Sequence, residues 1–150
     1  MTARLHVKGN RGGRGDRGSA VVEFVLFAVV AIVPLAWVAL SLQQLVAVHH
    51  ATQAAAGESL RAFLTAHSQR SASDRADVAA GLVLADHPAV TGYDVQVACG
   101  APRCLQPGAA VRVVVTVQAS LPAVPVLGIR PRLATQAQQY GVVDAFVAAR

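Results

Sequence analysis

Charge is scarce in this sequence. Only 14% of its 150 residues are Asp, Glu, Lys or Arg, whereas 54% are apolar; a soluble domain usually carries nearer a quarter charged residues. Cysteine is scarce too. Cys99 and Cys104, separated by Gly-Ala-Pro-Arg, are too few for a disulfide scaffold and lack the Cys-x-x-Cys spacing of a redox pair. They can form one bridge in an oxidising compartment. The alternative, a metal site, has only His87 nearby as a third donor. There is no internal repeat. The segment Gly12-Gly13-Arg14-Gly15 is not a phosphate loop, because no strand precedes it and no Gly-Lys-Ser/Thr follows. His49 and His50 are adjacent rather than at helical ligand spacing, so solvated histidines are expected there. Ser, His and Asp all occur, but in no arrangement that marks a nucleophile. No catalytic residue, metal or cofactor is expected, and the chain does not read as an enzyme.

The few charges are unevenly placed. The formal net charge is +5, and residues 1–18 hold Arg4, Lys8, Arg11, Arg14 and Arg17 against Asp16, leaving the remainder close to neutral. A basic stretch can signal a nucleic-acid partner. Here it lies in a Gly/Arg-rich tail directly before an apolar run, which is the layout of a membrane topology signal. The tail reads as disordered, and no nucleic acid is expected as a partner.

From Ser19 onward the character changes. Residues 24–40 form 17 consecutive positions without a charge or a hydrogen-bonding side chain other than the Trp37 indole. As a helix, residues 19–48 would measure about 45 Å at the α-helical rise, while a bilayer core needs about 20 residues. The segment is long enough to span and to project beyond. A buried core helix is the competing reading, but the remaining chain is short for wrapping an all-round apolar helix. Pro34 should kink the helix, which membrane helices tolerate. Five cations precede the run, and the first after it, histidines aside, is Arg61. The basic end therefore belongs in the cytoplasm and the C-terminal part outside the cell membrane.

The rest of the chain reads as a small α+β domain over residues 49–150. Residues 49–67 continue the helix in a more polar vein, with Leu60, Phe63 and Leu64 on one face. Residues 68–73 read as a loop, with Ser73 capping a short second helix from Asp74 to about Ala85. Tyr93, Val95 and Val97 alternate with Asp94 and Gln96, and Val111, Val113, Val115 and Val117 alternate with Arg112, Val114, Thr116 and Gln118, which predicts two strands joined as an antiparallel hairpin. Pro122, Pro125 and Pro131 make residues 121–131 an irregular crossing. Residues 132–143 supply a third strand with Leu133, Thr135, Ala137 and Gln139 on one face. The tail, residues 144–150, reads as a helical turn or as disordered. The fold class expected is thus a long N-terminal transmembrane helix (residues 19–48, after a leader of residues 1–18), a short helix and an antiparallel sheet of about three strands.

The most informative stretch is Arg17-Gly18-Ser19-Ala20-Val21-Val22-Glu23-Phe24. An acid in the middle of a bilayer costs about 2.5–3.5 kcal/mol, less near the interface. An ionisable group inside a membrane helix is by default a functional position. The plainer reading is an interfacial acid that suits the helix dipole. Glu23 follows Ser19 by four residues, about one helical turn, so the two share a side of the helix.

This layout resembles type IV prepilins, and within them the TadE-like pseudopilins of Flp (tight adherence) pilus systems. The resemblance implies that a membrane aspartyl prepilin peptidase cuts between Gly18 and Ser19. It also implies that the freed amine of one subunit pairs with Glu23 of its neighbour, next to the aromatic Phe24. Flp-type precursors prefer Tyr where Phe24 stands, and many other type IV pilins begin the mature chain with Phe or Met where Ser19 stands. The family commonly has a short helix-plus-sheet outer region, a close cysteine pair and Pro-rich turns. The partners implied are prepilin peptidase, other pilins or pseudopilins, Flp pilus assembly proteins and the lipid bilayer. The size of the chain favours a minor pilin or pseudopilin over the short major Flp subunit. Two rival readings stand beside it. One is a membrane-anchored binding module in which Glu23 is incidental. The other is a secreted protein cut near Ala39-Leu40-Ser41, although its apolar region is longer than that of a usual signal peptide.

Overall fold

The computed structural model describes residues 16–125 and 127–144. The expected disordered leader, up to residue 15, and the tail from residue 145 onward lie outside the described residues. Five elements follow one another: α1 (Asp16–Leu64), α2 (Gln69–Ala85), β1 (Val90–Cys99), β2 (Ala110–Ser120) and β3 (Arg132–Val142). The α+β class, the long apolar first helix, the short second helix and the three-stranded antiparallel sheet are all present. The chain divides into two units between Ala36 and Trp37, and α1 contributes to both.

In the first unit α1 begins at Asp16, three residues ahead of Ser19, and the helix continues past Pro34, which has no N–H to give to the preceding turn. Its large apolar side chains are exposed throughout, among them Val21, Val25, Phe27, Val30 and Leu35.

In the second unit α1 acquires an inward face. Val48, Ala51, Thr52, Ala55, Ala56, Ser59, Leu60 and Phe63 are buried at steps of one, three or four residues, the stripe of a helix packed on one side. Most of these side chains are small, which lets α2 approach closely. The facing stripe of α2 is Ala72, Ala76 and Ala80, all fully buried, followed by Leu84. The two polar groups in the interface are satisfied locally: the Thr52 hydroxyl donates to the Val48 carbonyl at 2.7 Å and the Ser59 hydroxyl to the Ala76 carbonyl at 2.8 Å. Among the described residues no buried side-chain nitrogen or oxygen lacks a partner. Glu58 and Arg61 form an exposed pair at 3.5 Å on the opposite side, a contact worth little in water.

The second helix differs from its expected bounds. It starts at Gln69, not Asp74, and its N-cap is Ser68, whose hydroxyl accepts the Ser71 backbone N–H at 3.3 Å. The serine-rich segment that reads as a loop is helical. Ser71 and Ser73 turn their hydroxyls back onto the carbonyls of Ser68 and Gln69, and Ala72 drives into the α1 contact. Tertiary burial decides a boundary that two equally good serine caps leave open.

The sheet is a meander in the order β1-β2-β3, antiparallel at both junctions. Gln96, Val114 and Gln138 lie side by side in the register, as do Val97, Val113 and Gln139. Val111, Val113, Val115, Val117 and Ala119 of β2 are buried on the inner face, opposite Leu133, Thr135, Ala137 and Gln139 of β3. The outer face carries Gln96, Thr116, Gln118, Gln136 and Gln138. Val114 also lies on it yet is only 8% exposed, sheltered by the glutamine side chains on either flank, as cross-strand neighbours do. β3 meets α1 through Gly141, where any Cβ would come within 2.9 Å of a Leu64 methyl and 3.1 Å of one from Leu60.

Cys99 and Cys104 are joined in a disulfide with Cα atoms 5.2 Å apart, so neither is available as a metal ligand. The bridge staples the loop after β1. Gly108 N–H and Val143 N–H extend this tie, bonding to Val143 and Ala109 carbonyls respectively. Closing so short a loop contributes about 2 kcal/mol on the chain-entropy model.

The α1–α2 interface generates a prediction. Ser59→Ala removes one hydrogen bond and should cost about 1 kcal/mol. Ser59→Leu forces a branched side chain between two alanine stripes and should cost about 1–3 kcal/mol or more. Urea denaturation of the full chain in detergent, followed by the loss of tertiary signal, measures both; equal midpoints for the two variants would contradict this close packing.

Candidate functional site: the N-terminal apolar helix

An unshielded apolar helix is the first requirement of the site. One stretch of α1 is long and apolar enough to cross a membrane, and none of that apolar stretch is buried by the rest of the chain. Phe24 is 69%, Phe27 72% and Leu35 69% exposed. Removing each such side chain from water is worth about 1.5–3 kcal/mol, so the sum over this surface is a strong drive toward lipid or neighbouring helices. This helix is compatible with a single-pass membrane anchor.

Glu23 interrupts that surface. It lies within two turns of the start of α1 and is exposed between Val21, Val22, Phe24 and Val25, all exposed as well. Among the described residues, no hydrogen bond or ion pair is made by Glu23. Gly18 and Ser19 lie inside the first turn of α1. In a helix's first turn the backbone N–H groups have no intrahelical acceptors, so the bond between Gly18 and Ser19 can be drawn out of the helix at less cost than a bond in its interior. The structure thus puts Gly18, Ser19, Glu23 and Phe24 on consecutive turns of one helix end. Cys99 and Cys104 belong to the sheet and are not part of this group.

The histidine pair behaves as a solvated pair. His49 and His50 are both exposed, and the His49 ring meets the Gln53 amide at 2.9 Å. No group of three or more His, Cys, Asp or Glu able to hold a metal is present among the described residues.

Two residues escaped the sequence reading. Ser41 and Gln44 read only as interruptions in an apolar trend that continues to Val48, but both are half-buried on the same stripe of α1 that leads from Trp37 to Val48. The Trp37 indole N–H donates to the Pro122 carbonyl at 3.2 Å, and the Gln44 amide donates to the Ser120 carbonyl at 3.3 Å. The steps of three and four residues between Trp37, Ser41, Gln44 and Val48 were the available signal. Ser41 bonds locally, to the Trp37 carbonyl at 2.8 Å, whereas the partners of Trp37 and Gln44, some eighty positions away, left no trace in the local pattern.

No protein-family model, curated protein or solved structure matches this chain.

If lipid is what covers the exposed stretch, paired charges in its middle should abolish anchoring. Each arginine at a bilayer centre costs about 2.5–3.5 kcal/mol on the insertion scale. The double substitution Val30→Arg with Val33→Arg should move the protein from the membrane pellet to the supernatant after alkaline carbonate extraction, while the native chain stays in the pellet. A native chain extracted as readily as the variant would show that the helix is covered by something other than lipid.

Proposed function

We propose that this protein is a pseudopilin or minor pilin of a Flp-type pilus or related secretion machinery. It is processed by prepilin peptidase and packs through its N-terminal helix. The observation that carries the reading is Glu23: an acid with no partner among the described residues, set on an apolar helix that the chain leaves bare, four residues after a Gly-Ser bond in the helix's first turn.

Cleavage between Gly18 and Ser19 separates the basic leader and leaves a cationic amine at Ser19. That amine and Glu23 lie about one turn apart on the same side of the helix. Within one subunit the geometry along the axis favours contact with a neighbour's opposite charge as much as with its own. In a bundle of such helices, the amine of one subunit neutralises Glu23 of the next. A charge pair in low dielectric contributes little net stability against an apolar pair, but an unpaired member is heavily penalised. The pair therefore fixes the axial register between neighbours rather than adding adhesion. Exposed valines and leucines supply the adhesion.

The orientation that fits this role has the leader in the cytoplasm and the sheet domain outside the inner membrane. The disulfide supports that side, since such bonds persist in oxidising compartments.

Two measurements test the proposal together. The mature membrane protein should begin at Ser19 on N-terminal sequencing. Glu23→Gln should leave expression, cleavage and the outer domain's resistance to protease unchanged, while abolishing incorporation into the assembled machinery. A mature chain that keeps its leader and assembles equally well with Gln at this position would leave a plain membrane-tethered domain.

A further inference from the structure

The loop between β2 and β3 has a composition unlike the rest of the outer domain. Residues 121–131 are apolar and carry no acid, and the segment closes on Arg130 and Arg132. Leu127 is 69% and Ile129 59% exposed. The loop is folded all the same. Leu121 N–H bonds to the Pro131 carbonyl at 2.8 Å and Val124 N–H to the Ile129 carbonyl at 2.8 Å, while Gly128 N–H reaches back to Val124 at 3.0 Å. Gly128 takes φ +65° to make that turn, a conformation glycine adopts without steric cost. The protein therefore uses backbone hydrogen bonds to hold two large apolar side chains outward at a loop tip.

What covers them follows from where the loop is fastened. Its start is tied to α1 by the Trp37 indole on the Pro122 carbonyl, and the end of β2 just before it by the Gln44 amide on the Ser120 carbonyl. In the sequence, Trp37 stands three residues before the end of the apolar run of residues 24–40. A run of that length rises about 26 Å, close to the thickness of a bilayer's hydrocarbon core. Tryptophan at that position is the aromatic belt residue of a membrane helix, and here its indole N–H is spent on the loop.

We propose that the connection between β2 and β3 makes a second membrane contact: Leu127 and Ile129 insert into the outer interface of the bilayer, and Arg130 and Arg132 lie among its headgroup phosphates. This inference rests on the membrane-anchor part of the reading above and is independent of processing at Gly18. A helix that crosses at one point can swivel about its axis and tilt freely. A loop that enters the same interface beside Trp37 removes the swivel and sets which face of the outer domain is presented sideways to a neighbour. The arrangement joins apolar side chains at the interface with flanking cations, as interfacial anchors do.

The test uses the full chain in phosphatidylcholine–phosphatidylglycerol vesicles. The native disulfide occupies both natural cysteines, so an environment-sensitive fluorophore can be attached to one introduced thiol at a time: Leu127→Cys, Val30→Cys within the apolar run, or Tyr140→Cys on the exposed outer face of the sheet. The expected result at Leu127 is a blue-shifted emission, loss of quenching by aqueous iodide, and quenching by lipids that carry a nitroxide high on the acyl chain. The probe at Tyr140 should respond to iodide alone. A probe at Leu127 as open to iodide as that at Tyr140, with Val30 still quenched by lipid, overturns the loop contact and leaves the anchor standing. A probe at Leu127 shielded from iodide yet untouched by nitroxide lipids overturns it in favour of a protein partner. Iodide access at Val30 overturns the membrane anchor, and the loop contact with it.

Discussion

Water does not tolerate the side chains that α1 leaves bare between residues 21 and 35. The remainder of the molecule can be understood as what is needed to live with that surface. A soluble helix solves the problem by turning one stripe inward, and α1 does so only from Trp37 onward, where Trp37, Ser41, Gln44 and Val48 begin a face that ends at Phe63. Before that point no stripe is covered. A single helix thus carries two burial patterns in succession: a bare apolar part compatible with a membrane anchor, and a part with one face packed under the sheet domain.

The α+β domain is built on the later part of the same helix. Its core is made of small side chains on the helices and β-branched ones on the central strand. The alanine stripes of α1 and α2 bring two helices close with little volume between them, and the valines of β2 fill the inner face of the sheet. Ser59 shows how polar groups are admitted: its hydroxyl reaches a carbonyl of the opposing helix and so marks the register of the pair. The disulfide staples the loop at the end of the sheet where Gly141 meets α1. The polar outer face of the sheet, dominated by glutamine, needs no covering and stays soluble.

Much of this was legible in residue patterns, and the exceptions have physical causes. Alternation of valine with polar residues foretold β1 and β2, and the weaker sequence Leu133, Thr135, Ala137 and Gln139 foretold β3, because a strand with one buried face writes its period into the chain. The length of α1 was equally plain. The start of α2 was not, since Ser68 and Ser73 offer the same capping chemistry and only the burial of Ala72 separates them. The shelter of Val114 by Gln96 and Gln138 depends on strand register, which no single strand's pattern contains. The bonds from Trp37 to the β2–β3 loop and from Gln44 to the end of β2 depend on tertiary approach and were invisible for the same reason. For the candidate site, the residue types and their order were readable in full. The structure adds the exposure of Glu23 and Phe24 and the helical setting of Gly18 and Ser19.

The central claim is that one chain passes from lipid to water along a single helix, with the sheet domain on the extracytoplasmic side. Cysteine accessibility along α1 in intact cells tests it most directly, with single thiols introduced at Val30, Val33, Gln53 and Glu58 and a membrane-impermeant maleimide added from outside. The account predicts no labelling at Val30 or Val33 from either face, and labelling at the exposed Gln53 and Glu58 from the extracytoplasmic face alone. Labelling of Val30 and Val33 by the aqueous reagent, or of Gln53 and Glu58 only after the cytoplasm is opened, would contradict it.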